Sequence, residues 1–255
     1  MLEDDFTWVI RKALKGLALA PSEAAALAKL PEGDVLAFTR GRFDADIATR
    51  LAPALGLNPS ALASHHDYSP APLELEGVTR IDLPFEAERV NAWLIRHSDK
   101  TLLIDTGYDG SDLTKISGKP DLVLITHSHH DHIGGLHALA KHGIPIRTPH
   151  AEGLLQAGEE IRLGGLIIHT CDLSGHATPS LGFLIEGLAK PVLVTGDALF
   201  AGSIGGCDPS RYQHALDRLR SVLAPLPGET VLLPGHGPAT TLAEERLRNP
   251  FPAFA

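Results

Sequence analysis

A chain of 255 residues has room for one large domain or a medium domain with an appendage, and 44% hydrophobic residues against 21% charged supply a sizeable core. A net charge of −9 disfavours general affinity for nucleic acid or anionic membranes, whose phosphates would be repelled. No apolar run reaches the roughly 18 residues of a membrane span. The opening Met-Leu-Glu-Asp-Asp is acidic where a secretory signal is basic, and Cys171 and Cys207 are too few for a disulfide framework, so a cytoplasmic protein is the expectation.

Residues 4–19 place Phe6, Val9, Ile10, Ala13, Leu14 and Leu17 on one helical face. Pro21-Ser22-Glu23 starts a second helix that runs through Leu30, and Pro31 stops it. Gly33–Arg40 is a third, and Asp44 caps a fourth that carries Ile47, Leu51 and Leu55 and ends at Gly56. Asn58-Pro59-Ser60 begins one more turn. The five-helix rhythm resembles small helix-turn-helix domains of repressor type in its spacing. Charge weighs against that use: residues 1–67 carry 7 Lys and Arg against 9 Asp and Glu, and Glu32 and Asp34 fall where a recognition helix needs bases. A small all-α module for dimer contact or for covering a cleft is the preferred reading. Its apolar faces must be buried, so docking on the rest of the chain or a homodimer through these helices is expected. His65 and His66, with no partner at ligand spacing, are expected to be solvated.

Tyr68-Ser69-Pro70-Ala71-Pro72 marks the boundary, which divides the chain into residues 1–67 and 68–255. Beyond it the pattern changes to strands: Val78–Leu83, Arg89–Arg96, Thr101–Asp105, Asp121–Ile125, Ile144–Arg147, Leu166–Cys171, Leu181–Glu186, Pro191–Thr195 and Val231–Leu233. Pro209–Leu223 reads as a helix with Tyr212, Ala215, Leu216, Leu219 and Val222 on one face, and Thr241–Arg248 as the last helix. Such a mixture fits two packed sheets flanked by helices.

Thr126-His127-Ser128-His129-His130-Asp131-His132 lies between the apolar strand Asp121–Ile125 and the helical pattern that opens at Ile133-Gly134-Gly135-Leu136. Imidazoles at i and i+2 leave a strand end on the same side, and the turn then brings Asp131 and His132 to the same space. Packing explains such a cluster poorly, whereas a divalent cation explains it directly. Imidazole with carboxylate suits zinc, iron or manganese, and zinc is the first expectation.

The HxHxDH turn resembles the signature of the metallo-β-lactamase superfamily, and four further landmarks follow the same order: Leu103–Gly107, Ser174–Ser180, Val194–Asp197 and Pro234–Gly237. The resemblance covers roughly residues 72–250. It implies an α+β fold, the αββα sandwich, with the small all-α N-terminal domain added. It also implies two divalent metal ions, one held by His127, His129 and His176 and the other by Asp131, His132 and His236, with Asp197 bridging. A hydroxide shared by the ions would attack the substrate, and Asp131 would orient it as the catalytic residue. Asp105 would orient a ligand histidine through its other nitrogen. Taken singly, His176 or His236 could be a satisfied loop histidine and Asp197 a turn cap. The joint occurrence carries the reading. His130, His137, His142, His150 and His169 match no ligand position, nor do the two cysteines.

Leu199–Gly205 after Asp197, and Thr240–Glu245 followed by Asn249-Pro250-Phe251, resemble the short glyoxalase II-like hydrolases, which cleave thioesters such as S-lactoylglutathione. A small-molecule thioester or ester substrate is therefore expected. Gly206 stands where that group usually has Arg, and the helical glutathione-binding region of the long glyoxalases II has no match here. A lactonase and a mononuclear-iron persulfide dioxygenase are the enzymatic alternatives. A ligand-sensing DNA-binding regulator is the alternative from another class.

Overall fold

A computed structural model of the chain describes residues 1–109, 113, 118–150 and 154–254. Five helices come first: α1 (Phe6–Gly16), α2 (Pro21–Ala28), α3 (Glu32–Thr39), α4 (Ala45–Leu51) and α5 (Pro59–Ala63). Helix α1 is shorter than the 4–19 pattern. The Asp5 carboxylate accepts from the Thr7 and Trp8 amides and sets its start, while Leu17 falls outside it and is exposed. Asp44 and Asn58 cap α4 and α5 in the same way.

Next come β1 (Val78–Phe85), β2 (Glu88–His97), β3 (Lys100–Ile104) and β4 (Leu122–Leu124), the short helices α6 (His130–Ile133) and α7 (Leu136–Ala140), and β5 (Ile146–Arg147). The five strands form one sheet in the order β1-β2-β3-β4-β5, parallel from β3 onward. The strand expected over Ile144–Arg147 shrinks to two residues, because Ile144 turns into the core beside Leu139 instead of extending the ladder.

The second half contributes β6 (Glu160–Leu163), β7 (Leu166–Asp172), β8 (Leu181–Glu186), β9 (Val192–Gly196), β10 (Leu199–Phe200), β11 (Ser203–Ile204), α8 (Pro209–Leu223), β12 (Val231–Pro234), β13 (Thr240–Thr241) and α9 (Leu242–Arg248). Six of these strands form a second sheet in the order β13-β12-β9-β8-β7-β6, with β9 and β12 parallel neighbours.

Between the sheets, Trp93, Ile95 and Ile104 meet Phe183, Ile185 and Leu233. On the outer face of the first sheet, Ala92, Leu94 and Val123 pack with Leu139 and Ile144. Strand β2 is buried on both faces from Val90 to Ile95. On the far side, Leu193 and Leu232 share a core with Leu216, Leu219 and Leu223 of α8, and that core continues into Val9, Ile10, Phe38 and Leu51. The result is the αββα sandwich with the N-terminal helices laid on its α8 side.

Hydrogen bonds tie the helices down. The Asn58 amide donates to the Pro250 carbonyl at 2.7 Å. The buried Glu245 carboxylate accepts from the Tyr68 hydroxyl (2.7 Å), the Gly202 amide (2.9 Å) and Asn249 Nδ2 (2.8 Å), joining the boundary stretch, the β10–β11 hairpin and the last helix. One expectation is overturned here. His65 is not solvated but buried, donating through Nε2 to the Gly202 carbonyl at 2.9 Å, while His66 stays exposed against Phe43. No helix among the described residues is long and apolar enough to cross a membrane.

Candidate metal centre

All the strand ends that matter point the same way. Parallel strands β3 and β4 end at Asp105 and at the turn through His127 and His129, and parallel β9 and β12 end at Asp197 and His236. Helix α6 follows at once and carries Asp131 and His132. His176 comes from the loop between β7 and β8. The structure brings together all seven residues that the sequence singled out, as two groups. His127, His129, His176 and Asp197 form one; Asp131, His132, Asp197 and His236 form the other, the donor atoms within each lying within 4.8 Å of one another. Asp197 belongs to both. Its Oδ2 is 3.8 Å from His127 Nε2, 3.6 Å from His176 Nε2 and 3.5 Å from His236 Nε2, and its Oδ1 is 3.3 Å from His132 Nε2. The second group is buried throughout, whereas His129 is exposed, so the cleft opens beside the first group.

Four of the five imidazoles have the outer nitrogen committed to the protein. His132 Nδ1 donates to Asp105 Oδ2 at 2.8 Å, His176 Nδ1 to the Gly206 carbonyl at 2.9 Å, and His236 Nδ1 to the Arg89 carbonyl at 2.7 Å. His127 Nδ1 donates to Thr126 Oγ1 at 3.0 Å, because that hydroxyl's own proton goes to Asp105 Oδ2 at 2.8 Å. Nε2 is therefore the atom each ring offers inward. One carboxylate, Asp105, sets two rings at once, and its Oδ1 also takes the Thr126 amide at 2.8 Å.

Two glycines make room for this geometry. A Cβ on Gly235 would lie 2.1 Å from Asp197 Oδ1 and 2.7 Å from His132 Cε1. A Cβ on Gly134 would lie 1.6 Å from the Tyr108 carbonyl oxygen, so α6 could not seat against that loop.

The donor set fits metal cations. His127 Nε2, His132 Nε2 and Asp197 Oδ1 are buried with no hydrogen-bond partner among the described residues, a costly arrangement unless a further group completes it. Burial pushes His127 down to about 2, so it stays a neutral donor. Burial opposes a proton on His132 too, but the Asp197 and Asp105 carboxylates outweigh it and raise that ring to about 10. His236 is raised to about 11 in the same way, by its hydrogen bonds to Asp131 and Asp197. For Asp197, burial favours the neutral acid, yet the positive charge of His132 and the nearby His236 hold it well below the usual carboxylate range.

His130, His137, His142 and His150 are exposed, and neither they nor His169 join the two groups. Sequence reasoning passed over Thr126, whose position directly before His127 was the available signal. It also missed Glu3, whose Oε1 lies 4.0 Å from His236 Nδ1. Nothing local could have shown that contact, which joins opposite ends of the chain. At Gly206, where the resembled hydrolases usually have Arg, Lys12 of α1 passes close by: its Cγ and Cε lie 3.9 Å from the point a Gly206 Cβ would occupy, and its Nζ donates to the Ile204 carbonyl at 2.9 Å.

Residues 86–165 match the family described as Metallo-beta-lactamase superfamily. The chain is 30% identical to hydroxyacylglutathione hydrolase GloC of Haemophilus influenzae, over 66% of this chain and 95% of that one. It is 25% identical to a probable metallo-hydrolase, YqgX of Bacillus subtilis, over the same shares of each chain. Among solved structures it resembles TTHA1623, crystallised in a di-iron-bound form, with 29% identity, a TM-score of 0.53, and coverage of 67% of this chain and 98% of that one.

Proposed function

This chain belongs to the metallo-β-lactamase superfamily as a glyoxalase II-like, metal-dependent hydrolase, and from that premise we propose that it cleaves a thioester at two divalent cations. The observation that carries the reading is the pair of donor groups sharing Asp197, one buried and one opening to solvent. His127, His129 and His176 would hold one ion, Asp131, His132 and His236 the other, and Asp197 both. When bound, such ions lower the pKa of water toward about 7 and polarise a carbonyl, which supplies nucleophile and electrophile at neutral pH.

The chain's own residues do the rest. Burial would raise the Asp131 carboxyl, but the hydrogen bond from His236 and the charge of His132 lower it, so it stands ready as an acceptor that orients water. Its Oδ2 is fixed 3.1 Å from His236 Nε2. A thiol leaving group, with a pKa of about 8.5, can depart as thiolate without a general acid. That suits a centre built of imidazoles and carboxylate acceptors, and it agrees with the thioester substrate in the name of the Haemophilus influenzae relative.

The test is elemental analysis of the purified chain beside a panel of thioester, lactone and persulfide substrates. We expect two ions per chain, zinc first, and preferential thioester turnover. One iron per chain with oxygen consumed on a persulfide would overturn the proposal, as would turnover of lactones alone.

Loading should also depend on pH. His132 and His236, raised to about 10 and about 11, hold protons at neutral pH that a cation must displace. Apparent affinity should therefore rise with pH from 6 to 9, by up to about tenfold per unit for each proton released. Competition with a chromophoric chelator measures this, and a flat profile would show that no proton leaves.

A further inference from the structure

Glu3 stands beside the metal centre without serving it. Its Oε1 is 4.0 Å from His236 Nδ1, too far for a hydrogen bond, and that nitrogen already donates to the Arg89 carbonyl at 2.7 Å. Glu3 instead lies against Gly237, where a Cβ would come within 3.1 Å of the Glu3 amide nitrogen and 3.2 Å of its Cβ. The side chain is 24% exposed, so it forms surface as well as packing.

The groups around Glu3 and the neighbouring His236 ring share one character. Glu88, at the start of β2, is near enough for the two carboxylates to feel each other. The Phe200 and Phe85 rings lie 5.9 Å and 6.5 Å from the His236 ring, and Tyr108 lies 5.4 Å from Phe85. The nearby cations are already committed, Lys12 to Asp4 and Arg89 to Asp82. Carboxylates set among aromatic rings attract positive charge and repel negative charge.

We propose that Glu3 is a specificity-determining residue, which makes the His236 side of the cleft prefer thioesters with a neutral or cationic thiol carrier over those with an anionic one. The inference rests on the thioester reading above and deepens it. It places the choice of carrier in the segment before α1, which reaches the site because α1 packs on α8.

The test uses the full-length, metal-loaded chain and three acetyl thioesters that differ in the carrier: acetylthiocholine (cationic), S-acetyl-N-acetylcysteamine (neutral) and S-acetylglutathione (anionic). Wild type should favour the first over the third. Glu3→Gln should lower kcat/KM for the cationic substrate and raise it for the anionic one. A unit charge about 8 Å away in a half-buried setting gives about fivefold each way, hence roughly 25-fold in the ratio. Glu3→Asp should keep the wild-type preference, and 0.5 M salt should shrink it. Metal content is measured alongside. An unchanged ratio, or both substrates falling together, would overturn the assignment while leaving thioester hydrolysis standing. Failure of wild type to cleave all three would overturn the proposed function and this inference with it.

Discussion

Asp131→Asn is expected to lower kcat by about two to four orders of magnitude while the fold survives and KM changes little. Asn keeps the size of the side chain, and Asp131 contributes contacts to His236 and His132 rather than apolar packing, so little of the core depends on it. What the change removes is a negative charge and an acceptor oxygen at the place where water must be oriented. The variant therefore separates two roles. If Asp131 acts only as a structural partner of His236, the amide will substitute and turnover will persist. If it orients the nucleophile, the loss will appear in kcat even when elemental analysis finds both ions in place. Activity near wild type in a fully metallated variant would remove Asp131 from the mechanism.

The parts of this molecule that were legible in the sequence are those whose signal is local. Helix α8 is read correctly at both ends because Pro209 opens it and Tyr212, Leu216 and Leu219 recur at helical spacing. Strand β8 is likewise read over its full length, Leu181–Glu186. Four of the seven candidate donors could be picked out because they lie on one turn, whereas His176, Asp197 and His236 were reached through the family resemblance and the order of its landmarks. The unread elements are short or exposed: β6 alternates between exposed and half-buried residues, and β10, β11 and β13 have two residues each. Long-range pairs left no trace. His65 looked solvated because its partner, the Gly202 carbonyl, is 137 positions away, and no periodicity reports such a bond.

A chain beginning at residue 68 is expected to lose its cooperative fold rather than to survive as a trimmed hydrolase. The reason lies in where the apolar faces of α1–α5 go. Val9, Ile10, Phe38 and Leu51 share one core with Leu193, Leu216, Leu219 and Phe251, and Gly16 sits so close to the Tyr212 ring that a Cβ there would meet it at 2.3 Å. Removing residues 1–67 would strip one side from the core around Tyr212, Leu216, Leu219 and Phe251. At about 1.5–3 kcal/mol for each large side chain fully exposed, the loss reaches at most roughly 6–12 kcal/mol. Net stability is typically about 5–15 kcal/mol, so the deficit is of the same size as the whole. The truncated chain should aggregate or bind a hydrophobic dye without a sharp thermal transition, and added zinc should not restore it. A milder change probes the same interface in the intact chain. Ile10→Ala should cost about 2–5 kcal/mol and lower the Tm of a single transition that includes the metal centre. Two separate transitions, or a soluble 68–255 fragment that melts sharply, binds two ions and shows only a raised KM, would instead make the helices a free-standing module that covers the cleft.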